Sequence, residues 1–294
     1  MPTATAPAAE VEGRDIFPWL FDTAPLTDAP LAPVEQQALG ALDATLALAA
    51  VPDNLLPRAA AQIPQLIAML RQTELPTKAI ANQVGKDAVL AAELMRLATS
   101  AYYRAQGTVA NIEQAITLIG LQGLQTVIAR VLLKPIYRGA PGPLSARAMP
   151  RLWEHSEALA QHTAVLAAAA GQNAAPGRPQ AGSHPRAQEE GTAVTAFDGY
   201  LAGLLHDTGW TVALGVIDRA GITLALPPSA LFARALDLRV YRLFGQAAQR
   251  WEITPGFTAF AHAAWRQGPA SATHPMAPVL QQALLRCMQE ASPA

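Results

Sequence analysis

One stretch brings together side chains that could do chemistry. Leu201-Ala-Gly-Leu-Leu-His206-Asp207-Thr-Gly209 runs an apolar segment straight into an adjacent His–Asp pair, and a glycine closes it. The apolar part reads as the end of a buried helix, so the pair carries two polar groups inward, at a cost unless they find partners. A divalent metal ion is one such partner, since imidazole nitrogen and carboxylate oxygen are both good ligands. Protein groups are the other: His206 would donate to a neighbouring carbonyl, and Asp207 would cap a helix starting near Thr208-Gly209-Trp210. The residues alone leave both open.

The rest of the chain must position that pair. Its 294 residues suffice for one large domain or two modest ones. With 51% hydrophobic and only 15% charged residues, it must bury a large core. Alanine and leucine dominate and β-branched runs are few, which points to a mostly helical fold. A net charge of −1 with scattered basic residues argues against a nucleic-acid binder. The one cysteine, Cys287, excludes an intrachain disulfide and any CxxC metal site, and fits a reducing compartment. No basic segment followed by an apolar one opens the chain, and no window of about 20 residues is apolar and free of charge, His or Pro. A cytoplasmic protein without a membrane span is expected.

Residues 1–12 are rich in Ala, Pro and Thr and read as a disordered lead. Ile16-Phe-Pro-Trp-Leu-Phe21 packs three aromatics into six residues before a Pro-rich strip ending at Pro33. Phe17, Trp19 and Phe21 therefore dock on the main body or on a partner. Residues 1–33 are taken together as lead and docking segment. Short helices follow: one from Pro33 to Ala50, one opened by Pro64, one over Pro76–Val84 ended by Gly85, and one capped by Asp87. Asn111-Ile-Glu-Gln114 resembles a capping box, and Gly120 and Gly123 are expected to break the helix it starts. Gly139-Ala-Pro-Gly-Pro143 marks a boundary, so 34–140 and 145–290 are predicted as two helical parts. The second holds a long helix over Ser145–Ala170, a flexible insertion at about 171–191, the His–Asp helix, and helices over Trp210–Arg219, Ser229–Trp251, Phe257–Trp265 and Pro278–Glu290. Asp198, Asp218 and Asp237 read as solvated acids, and Trp153, Trp210, Trp251 and Trp265 as core fillers. No GxGxxG, GxxxxGK[ST], HExxH or GxSxG is present.

Three separated stretches resemble the bacterial HDOD family, degenerate relatives of the HD metal-dependent phosphohydrolases. The first is the early helical block, with Leu56-Pro57 through Ile63-Pro64, Lys86-Asp-Ala-Val-Leu90, Leu94 to Tyr103 and Ile112 to Gly120. Thr99 stands where the family usually has Asn, and Ala88 where it usually has Pro. The second is Leu152-Trp-Glu-His155-Ser156, similar to the family's Trp-x-His-Ser. The third is Ala202-Gly-Leu-Leu-His-Asp-Thr-Gly209. The resemblance implies an all-α fold: a multi-helical HD-like bundle preceded by a smaller helical subdomain.

It also implies a test of chemistry. Metal-binding HD domains use a His from one helix, the His–Asp pair from another and a late Asp, and the ion activates water for attack on a phosphoester. Here His155, His206 and Asp207 match, and His262 fits a late His whose usual neighbour is Ala263. The helix over Leu238–Arg250 has no His, and the last helix has no Asp; Leu284-Leu285-Arg286 stands in that neighbourhood. The set is therefore read as a degenerate site in which His155 and Asp207 satisfy one another and hold two helices in register. Metal candidates are limited to His155, His206, Asp207 and His262; a divalent ion is possible but not expected as a cofactor. His162, seven residues after His155, is a second ligand or a core or rim histidine. His184 falls in the insertion and His274 in a Pro-flanked turn. The implied function is a non-catalytic signal-transduction module that binds a signalling protein or a small nucleotide. The alternative is a metal-dependent phosphohydrolase acting on a nucleotide or cyclic dinucleotide.

Overall fold

The computed structural model describes residues 16–52, 54–55, 76–100, 103, 109–138, 141–173, 194–249, 251, 253–267 and 273–291. The expected lead over 1–12, the helix opened by Pro64, and all of the expected insertion beyond Asn173 lie outside the described residues, as do His184 and the side chain of Trp265. The described residues are helical, with one isolated parallel bridge between Thr27 and Ser229. The chain divides into a larger unit, 1–58 with 136–294, and a smaller one, 59–135.

In the smaller unit the local signals act as read. Helix α3 spans Thr77–Val84, α4 Ala88–Ala98 and α5 Ile112–Leu133. Asp87 accepts from the amides of Val89 and Leu90 at 2.9 and 3.0 Å, capping α4. Asn111 accepts from Gln114 N at 2.9 Å, while the Gln114 side chain reaches Ala110 N rather than the cap's own amide. Gly123 lies in helical backbone, but Gly120 interrupts α5. Gly120 takes φ 68° and ψ −177°, outside helical geometry and open to a residue without Cβ, so the stretch is two helices joined across a kink at the break expected there. The stretch Ile112–Arg138 is long and apolar enough to cross a membrane by length and composition; α5 packs against α3 and α4, burying Ile116, Ile119 and Ile128.

The larger unit contains α1 (Ile16–Phe21), α2 (Pro33–Leu46), α6 (Pro143–Asn173), α7 (Ala196–His206), α8 (Thr208–Arg219), α9 (Ala230–Ala248), α10 (Pro255–Gln267) and α11 (Met276–Ala291). The expected grouping of 34–140 differs from this, because α2 packs on α8 and α9. Leu39, Leu42 and Leu46 are its buried stripe. Buried Glu35 ties it to α9, accepting from Ser229 N and Ser229 Oγ at 2.8 Å each.

Asp198, Asp218 and Asp237 are not solvated acids. Asp198 and Asp237 are buried and Asp218 is half-buried. The unpaired amides at helix starts explain two of them. Asp218 accepts from Leu144 N and Ser145 N at 3.1 and 2.8 Å, capping α6 from a distant helix. Asp198 and Thr195 form a reciprocal capping box on α7, and Thr254 Oγ1 donates to Asp198 as well.

Helices α6 and α7 make the approach that matters for the site. Gly199 and Gly203, four residues apart on one face of α7, meet Ala160, Thr163 and Ala167 of α6. A Cβ on Gly203 would lie 2.6 Å from Ala160 Cα, and one on Gly199 2.7 Å from Ala167 Cβ. Small residues on both sides let the backbones close together. The pairing is antiparallel: one turn beyond Gly203 stands Asp207, and one turn before Ala160 stands Ser156.

A buried His–Asp–His network as candidate functional site

That register delivers His155 and Ser156 of α6 to the His206–Asp207 junction between α7 and α8. His155 Nδ1 lies 2.6 Å from Asp207 Oδ2, and His206 Nδ1 lies 2.8 Å from Oδ1. Ser156 Oγ donates to Oδ2 at 2.9 Å. Three of the four sequence-predicted residues are thus in one network. His262 is not with them: it lies on α10 with an exposed side chain. His162 is half-buried further along α6. His274 stands before α11, its Nδ1 accepting from Met276 N at 3.2 Å, and burial pulls its imidazole below the ordinary range against the opposing charge of Asp198.

The His155–Asp207 pairing expected from the resemblance is present, whereas the carbonyl partner of His206 and the side-chain cap by Asp207 are not. His206 meets the carboxylate beside it instead of a carbonyl. Asp207 occupies the N-cap position of α8, but its side chain makes no cap bond, and only its carbonyl serves the helix start, accepting from Trp210 N and Thr211 N. Both carboxylate oxygens are taken by the imidazoles and Ser156.

The electrostatics fix the protons. Full burial pushes the Asp207 carboxyl up, but the charge and hydrogen bond of His155, then those of His206, outweigh it and hold the group far below the usual carboxylate range. An ionised carboxylate can only accept, so both Nδ1 atoms carry hydrogen and donate. His206 Nε2 is then left facing the protein interior, buried and with no hydrogen-bond partner among the described residues. The His206 ring lies beside Tyr241 and Phe244 of α9, with centroids 6.4 Å away in each case.

Two further groups meet the network: Tyr137, which the sequence did not single out, and Trp19, expected only as a docking aromatic. Tyr137, in the 3-10 turn over Lys134–Arg138, has its hydroxyl 2.9 Å from Ser156 Oγ and donates to Leu204 O at 2.6 Å. Burial and the nearby Asp207 charge push its hydroxyl well above the ordinary tyrosine range, so it stays a neutral donor. A buried tyrosine near a prolyl turn looks like ordinary core in a sequence. Trp19 of α1 is the other, its ring 5.7 Å from that of His155.

A metal ion does not fit these residues as they stand. Each ring meets Asp207 through Nδ1, so each Nε2 is turned away from the carboxylate and the three groups do not converge on one point. No group of three or more His, Cys, Asp or Glu among the described residues is disposed to hold a metal ion. The neighbourhood expected to supply a late acid offers buried Leu284 and exposed Arg286.

Comparisons with known proteins agree with the geometry at the level of fold. The chain is similar to a "putative metal-dependent phosphohydrolase" from Shewanella amazonensis SB2B, with 18% identity and a TM-score of 0.58 over 89% of this chain and 86% of that one. It is also similar to an "HDOD domain protein with unknown function" from Geobacter sulfurreducens, with 18% identity and a TM-score of 0.52 over 88% and 82%. No curated protein matches it. The model of the HDOD domain matches residues 56–225, which include the α6–α7 pairing with Tyr137, His155, Ser156, His206 and Asp207, and the chain belongs to the HDOD domain family.

Proposed function

We propose that this chain is a non-catalytic signal-transduction module of the HDOD type, working in the cytoplasm by binding a signalling protein or a small nucleotide. One observation carries this reading: the Asp207 carboxylate is fully buried and closed off by His155, His206 and Ser156. A catalytic ion needs converging ligands and an open position for water. A carboxylate with both oxygens bound by protein donors offers neither. In this reading the network is a lock that holds α6, α7 and the Tyr137 turn in register, and the helical body is a scaffold for recognition.

A second reading, a metal-dependent phosphohydrolase acting on a nucleotide or cyclic dinucleotide, is favoured by His206 Nε2, which is buried with no hydrogen-bond partner among the described residues. Elemental analysis of protein purified without chelator, paired with a phosphodiesterase assay, separates the two. The module reading expects substoichiometric metal and no turnover. Stoichiometric metal, with turnover abolished by His206→Ala in a protein that still folds, would replace it with the enzyme.

A further inference from the structure

We propose that α1 is a built-in cover over the His155 side of the network, with Trp19 as the group that closes it. His155 is the one member that reaches the surface, at 16% exposure against 7% for His206 and 0% for Asp207. The Trp19 ring lies against it at 5.7 Å.

The helix is held so that this ring cannot drift. Phe17, Leu20 and Phe21 are fully buried, and Phe17 packs against Trp210 of α8 and Phe232 of α9 at 6.0 and 6.3 Å. Arg151, one turn before His155 on α6, donates to the carbonyl of Trp19 and faces Asp22 at 3.8 Å. Downstream, Thr27 bonds with Pro228 O and Ala230 N at the head of α9. Trp19 differs from its aromatic neighbours in being only half-buried. Its ring lies against the His155 imidazole, partly open to solvent. A strap tied at both ends with one ring beside the open edge is the arrangement that narrows the access of solvent and solutes to His155, which keeps 16% of its side-chain surface exposed. The inference concerns access to the network and not its chemistry, so its failure would leave the proposed function standing.

Diethylpyrocarbonate labelling of the full chain, read histidine by histidine by mass spectrometry, tests it. Exposed His262 serves as the reactive reference and buried His206 as the reporter of loosening. In the parent protein His155 should label far more slowly than His262. Trp19→Ala should raise its rate by about tenfold or more with His206 still protected. Arg151→Met, which cuts the tether and keeps the ring, should raise it by less, again without His206. The proposal is overturned if His155 labels as fast as His262 in the parent, if neither variant changes its rate, or if it rises only together with His206.

Discussion

His155 Nδ1 and Asp207 Oδ2 are 2.6 Å apart across 52 positions of sequence, and the carboxylate they share with His206 is fully buried. The close approach beside it is made by small residues: two glycines on α7 meet two alanines and a threonine on α6, and the helix junction puts Asp207 one turn past Gly203.

The pair should be energetically coupled. Asp207→Ala strips the partner from two imidazoles and should cost about 3–5 kcal/mol, as breaking a buried charged pair does. In a double-mutant cycle, His155→Ala and Asp207→Asn should show a coupling of about 0.5–3 kcal/mol by urea denaturation. Additive losses would mean that the short distance carries no energy.

The network should also shape acid stability. In the unfolded chain the Asp207 carboxyl takes up a proton near its ordinary value of 3.8, while in the folded protein it stays ionised far below that. The unfolded state therefore binds the extra proton as pH falls, and the stability this group supplies is present above about pH 4 and lost progressively below it. Urea midpoints from about pH 5 to pH 2 should fall more steeply for the parent than for Asp207→Asn. Parallel curves would contradict the lowered carboxyl.

Two glycine substitutions should have opposite signs. Gly203→Ala forces a Cβ to within 2.6 Å of Ala160 Cα, so α6 and α7 must part, at about 1–3 kcal/mol. Gly40→Ala, in α2 with nothing within 4 Å of the added atom, should stabilise by about 0.4–1 kcal/mol through the unfolded chain. Thermal melts of both variants decide it, and a Gly203→Ala protein as stable as the parent would show that the close approach does not set the register.

Much of this was legible in the sequence. Helix starts follow local cap chemistry, so Asp87, Asn111 and Ser229 mark α4, α5 and α9 where they were expected. The motif histidines could be matched because the family keeps their order along the chain. What escaped was long-range. Asp218 caps a helix more than 70 positions away, at Leu144 and Ser145, and nothing near either end announces the bond. Asp198 looked solvated because its partners Thr195 and Thr254 are ordinary residues on two different segments. Tyr137 could not be placed in the site without the α6–α7 register, which rests on close contact between glycines and alanines and leaves no hydropathy pattern. Gly120, by contrast, was legible as a break, because a residue without Cβ adopts the positive φ that interrupts the helix there.

The most direct measurement compares unfolding free energies of the parent and His206→Ala with and without saturating divalent metal. A structural lock predicts a loss of about 1–3 kcal/mol on His206→Ala, the same in both conditions, because the cost is that of leaving buried groups unpaired. A resident metal site predicts otherwise: metal at about 100 times its Kd should stabilise the parent by about 2.7 kcal/mol and leave His206→Ala unchanged. A metal-dependent gain that vanishes with His206 would contradict the lock.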